Sequence, residues 1–173
     1  MPYRYLRLRQ RCQSVVDQIS LPQPFSVDAL CRHIAGQRGR PLYLHPLPPE
    51  ASSAGTCGLW LATATDDHIF YERHTSRLHQ EHIVLHELGH MLFNHYAVEE
   101  GDADGVGRLL SSLDQQAVKH LLGRTNYTTR QEQEAEMLAS LIRTTADQPV
   151  QEQPRGVTGK LGSAMGIGTL DDE

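Results

Sequence analysis

At 173 residues the chain has the length of one domain, large enough to bury a core without disulfide staples. Its net charge of -5 gives no basic footprint for nucleic acid, and no apolar run approaches the roughly 20 residues of a membrane span. Cys12, Cys31 and Cys57 stand far apart with no C-x-x-C, which argues for reduced thiols in the cytoplasm over a disulfide frame or a cysteine metal site.

The start of the chain is basic (Arg4, Arg7, Arg9, Arg11) but lacks the apolar stretch of a signal peptide. Tyr5, Leu8, Cys12, Val15 and Ile19 recur in steps of three and four, predicting an amphipathic helix over 3–19. Arg4, Arg7 and Arg11 fall on another face, read as a solvated face in preference to a docking patch. Leu21-Pro22-Gln23-Pro24 ends that helix, and Ser26 is placed to cap a second over 27–36. A short strand is predicted at 41–44, then a loop, His45-Pro46-Leu47-Pro48-Pro49, whose prolines bar regular pairing. Strands at 58–64 and 68–71 form a hairpin about Asp66-Asp67, and its edge is suited to hold an extended peptide. Beyond it lie a polar, Gly-rich loop from residue 99, helical spacing over 106–122 and a last helix over 129–143. The loop lacks the later ligands of an EF-hand, and Gly156-Val157-Thr158-Gly159-Lys160 lacks the spacing of a P-loop. These elements give an α+β fold, mostly helical with a small antiparallel sheet, as one domain over 1–145 with a disordered tail at 146–173.

Between hairpin and loop stands His86-Glu87-Leu88-Gly89-His90, read as H-E-x-x-H. Leu78, Leu85, Leu88 and Leu92 place it on an amphipathic helix capped by Thr75 or Ser76. Residues four apart project from one face, so both imidazoles can close on one metal ion with Glu87 within reach of a water there. A catalytic metal usually takes three protein ligands. The H-x-x-G-x-x-H route fails, because Phe93 and Tyr96 occupy the Gly and His positions; His95 is one residue off and turned about 100° round a continuing helix. A later helix offers Glu132, Glu134 and Glu136. Glu134 falls within its apolar arc and Glu132 at the edge marked by Ala135 and Ala139, small residues that permit close approach of another helix. Glu132 competes for a capping box with Thr129, while Thr128 with Gln131 forms an equivalent box that frees it. Geometry leaves the choice among the three open.

H-E-L-G-H followed by E-x-E-A-E-x-L-A at 132–139 resembles the ImmA/IrrE family of metallopeptidases, whose second motif reads roughly E-x-E-A-(N/D)-x-F-A. It is also similar to the wider gluzincin pattern of H-E-x-x-H plus a downstream E-x-x-x-D. The resemblance implies a zincin-like domain with His86, His90 and Glu132 as zinc ligands and Glu87 as catalytic base. It further implies that Glu136, standing where the family has Asn or Asp, orients a ligating histidine. Leu138 replaces the family's Phe, the stretch 99–126 is longer than a minimal version needs, and no helix-turn-helix segment is visible. The function so implied is a zinc-dependent regulatory endopeptidase that cleaves or inactivates a helix-turn-helix repressor. One Zn2+ per chain is expected, although such donors also accept Mn2+ or Fe2+. Tyr96, His95, His120 and Tyr127 are candidates to assist the oxyanion. The alternative is a metal-stabilised binding module that docks on a DNA-binding partner without cutting it. Neither reading involves direct nucleic-acid or membrane binding.

Overall fold

A computed structural model describes residues 2–47, 57–63, 65–95 and 127–147, and these form four helices and three strands. The mixed α/β composition agrees with the sequence. The first helix, α1 (Pro2–Ile19), turns Cys12, Val16 and Ile19 inward. Tyr5, expected on that face, is largely exposed. Ser26 caps α2 (Val27–Arg38), its side chain accepting from the Ala29 N–H, and Gly39 closes it at φ 62.

The sheet departs from the expected antiparallel arrangement. Strands β1 (Leu42–Pro46), β2 (Gly58–Ala62) and β3 (Asp67–Tyr71) lie in the order β1-β3-β2. β2 and β3 pair antiparallel as predicted, but β1 joins β3 in parallel. His45 and Pro46 are part of β1 and not of a loop. The Leu47 N–H donates to the Tyr71 carbonyl, so alternation turns the Pro46 nitrogen to the open side of an edge strand, where no N–H is needed. Asp67 is likewise no turn residue. It is buried at the start of β3 and accepts from Arg38, Arg40 and the Trp60 indole.

Helix α3 (Arg77–Leu92) runs between the sheet and α4 (Thr129–Ala146), and α1 packs on α4 from beyond. α3 is less amphipathic than predicted. Its first turn, including Leu78, is exposed on all sides, and from Ile83 to Met91 every residue but His86 is buried. Helix α4 continues three residues past the predicted Arg143, so Ala146 belongs to it and not to a tail. The core joins Leu30 and Ile34 of α2, Trp60 and Ile69 of the sheet, Leu85 and Leu88 of α3, and Leu138 and Ile142 of α4. The predicted loop and helices over 99–126, and the tail from 148, lie outside the described residues. Among the described residues no helix is long and apolar enough to cross a membrane.

Candidate metal centre

Ser76 caps α3 by accepting from the His79 N–H, which sets the helical register of the motif that follows. His86 and His90 then stand one turn apart with their Nε2 atoms 3.1 Å from each other. Glu132 reaches both from α4, with Oε2 3.3 Å from His86 Nε2 and Oε1 3.6 Å from His90 Nε2. Donors about 2.0–2.2 Å from a tetrahedral zinc are spaced about 3.3–3.6 Å from one another, so both spacings to Glu132 match such an ion and the histidine pair at 3.1 Å stands slightly closer. These three donors form the metal-capable group found among the described residues. Burial and the neighbouring His86 and His95 lower the His90 pKa to about 3, which holds that ring in the neutral form a metal requires.

Two local features deliver Glu132. Thr128 and Gln131 make the reciprocal capping box, so the Glu132 carboxylate is not spent on the helix end. Gly89 meets Ala135 backbone to backbone, and a Cβ on Gly89 would lie 2.8 Å from the Ala135 Cα. That contact brings the first turn of α4 onto the histidine face of α3.

Glu87 is buried beneath β2, close enough to Glu132 and Tyr127 to feel their charges. It is 5% exposed, and a Cβ on Gly58 would fall 2.6 Å from its Oε1. The Trp60 backbone N–H donates to this carboxylate, while Oε2 has no partner among the described residues. Burial, and secondarily the charge of Glu132, raise its pKa to about 8.

A second layer orients the histidines. Glu136 Oε2 lies 3.4 Å from His86 Nδ1 and 3.1 Å from His82 Nε2, so the longer side chain does reach the place the resemblance assigns it. His90 Nδ1 lies 3.1 Å from His95 Nδ1, and His95 Nε2 lies 3.0 Å from Glu134 Oε2. With the His90 Nε2 lone pair given to a metal, one proton arrangement satisfies this chain. His90 Nδ1–H donates to His95, and His95 Nε2–H donates to Glu134. Glu134 is closed by Arg11 at 2.7 Å and Arg130 at 3.1 Å. Tyr127 stacks on His90 with ring centroids 3.7 Å apart and planes 12° from parallel. Its buried hydroxyl has no partner among the described residues, and burial with the charges of Glu87 and Glu132 raises its pKa.

The structure therefore brings together His86, Glu87, His90, Glu132 and Glu136, and turns Glu134 away from the ligand group. Tyr127 and His95 adjoin the site, while Tyr96 and His120 lie outside the described residues. Sequence reasoning missed the placement of His95, because it assumed a continuing helix. The helix ends at Leu92, Asn94 takes φ 53, and the chain folds back so that the His95 N–H donates to the His90 carbonyl. Asn94 was the available signal, since asparagine tolerates the left-handed conformation that stops a helix. Comparison of the chain with protein-family models, with curated proteins and with solved structures returns no match.

Proposed function

We propose that the chain is a zinc-dependent endopeptidase of zincin-like fold, with His86, His90 and Glu132 as ligands and Glu87 as general base. The observation that carries this reading is the convergence of His86, His90 and Glu132 beside a buried carboxylate, one oxygen of which is unpartnered among the described residues. A binding module needs no such carboxylate, whose burial is costly unless it is used.

Bound zinc supplies Lewis acidity, acidifying water and polarising a carbonyl. Beside a divalent cation Glu87 is favoured as the carboxylate over the protonated form of the metal-free chain. As carboxylate it takes the proton of the attacking water and returns it to the leaving amine, a role worth about 10²–10⁴ in rate. Tyr127, kept protonated by its surroundings, donates its hydroxyl to the oxygen that becomes negative. The edge strand β2, which points the Trp60 N–H toward Glu87, is where an extended substrate backbone adds. Following the resemblance, the partner is a helix-turn-helix repressor in the cytoplasm, and activity on generic proteins such as casein is low.

Glu87→Gln tests the proposal, because an amide cannot accept the proton. The variant should keep its metal and bind a candidate repressor, yet leave it intact where wild type cuts it. Full-length repressor with equal derepression by both forms would overturn the protease reading and support metal-dependent docking.

A further inference from the structure

Between α1 and α4 runs a cleft of about 1250 Å³ that ends on His86 and Glu132. It exceeds the roughly 300–1,000 Å³ of small-molecule pockets and has the size of a site for a chain segment. Arg4, Arg7 and Arg11 recur at helical spacing along its α1 wall, and Arg130 faces them from α4. These are the arginines expected on a merely solvated face.

Their charges are not all spent. Arg11 and Arg130 close on Glu134. Glu132 and Glu136 lean on the histidines of the metal centre. Arg4 and Arg7 are exposed and make no ion pair among the described residues. In a chain of net charge -5, this leaves a positive strip leading to the metal ligands. A divalent ion there adds to it. Exposed Tyr5, with Leu8 and Met137, supplies apolar surface between the charges.

We propose that this cleft holds an acidic peptide segment, its carboxylates over Arg4 and Arg7 and its backbone directed at His86 and Glu132. The inference rests on the peptidase reading and specifies its substrate class as proteins presenting Asp/Glu-rich stretches. Nucleic acid fits less well, because Glu132 and Glu136 line the inner end and repel phosphates.

The test uses the full-length, zinc-loaded Glu87→Gln chain, so that binding is read without cleavage. A fluorescein-labelled Ala–Glu repeat peptide should bind with an affinity that falls as salt rises, and an Ala–Gln repeat of equal length should bind at least about tenfold more weakly. Adding Arg4→Gln and Arg7→Gln should cost about tenfold for the acidic peptide, with metal content and melting temperature unchanged. Equal binding of the two peptides, or unchanged binding after the arginine substitutions, would overturn the proposal. So would displacement of the acidic peptide by an equally long single-stranded oligonucleotide. The two readings fail separately. Binding as described with no cleavage by the Glu87 form sinks only the peptidase. Cleavage of a partner at the same rate with and without Arg4 and Arg7 sinks only the acidic specificity.

Discussion

The Nδ1 atoms of His90 and His95 lie 3.1 Å apart, so that with His90 Nε2 given to a metal, His95 is the acceptor that fixes the His90 tautomer. Hydrogen bonds behind a ligating imidazole raise its basicity and hold its ring, and their loss costs about 10–100-fold in metal affinity. His95→Ala should weaken zinc binding by that factor while leaving one metal per chain at saturation. Chelator competition measures it. An unchanged affinity would reduce His95 to packing.

Gly89→Ala sets two effects against each other. Alanine gains about 1 kcal/mol in helix propensity. Here its Cβ would sit 2.8 Å from the Ala135 Cα, and overpacking against backbone costs about 1–3 kcal/mol. The clash should win. The helices separate, Glu132 withdraws, and both melting temperature and zinc affinity fall. A stabilised variant with normal affinity would show that the helices have slack.

The three glutamates of α4 should separate cleanly. Glu132→Ala should lose the metal on dialysis against a mild chelator, and Glu136→Ala should bind it about 10–100-fold more weakly. Glu134→Ala should keep stoichiometric metal but lose about 1–3 kcal/mol of stability, since His95 then faces an empty position in the interior. Metal analysis of the three proteins decides the assignment. Metal loss in Glu134→Ala with retention in Glu132→Ala would reverse it.

Glu87 makes the metal-free protein sensitive to pH. Its pKa is raised from 4.5 to about 8 on folding, so between those values the folded chain holds a proton that the unfolded chain has released. Stability therefore falls as pH rises through that window, by at most about 1.4 kcal/mol per unit. Glu87→Gln has no proton to hold and should flatten the slope. Urea unfolding of the chelated proteins between about pH 5 and pH 8 checks it. Parallel slopes for the two proteins would show that the carboxylate is not the source.

The sequence was most informative where function rests on fixed local spacing. His86 and His90 were readable because a helix puts positions four apart on one face. Gln131 was readable as a cap partner, and Ala135 as a place where helices touch. Choosing Glu132 over Glu134 was not settled by spacing, since both lie in one turn; the resemblance pointed to Glu132, and it is Glu132 that the structure sets beside both histidines. What escaped depended on the path of the chain between elements. His95 turns inward because Asn94 reverses the backbone. β1 adds in parallel, a choice governed by long-range packing that five residues do not encode. The cleft over Arg4 and Arg7 exists only once α1 meets α4.

The contact of Arg11 with Glu134 spans 123 positions of sequence. During synthesis α1 and the H-E-x-x-H helix are complete before α4 has been made. Until then the two histidines have neither Glu132 beside them nor the anion that anchors His95. Of the three donors in the metal-capable group, such a nascent chain would offer only His86 and His90, the weak grip of two imidazoles on a hydrated ion. On the peptidase reading proposed above, secure metallation would thus wait for the moment the chain closes on itself, and an unfinished chain would be spared a working hydrolytic centre.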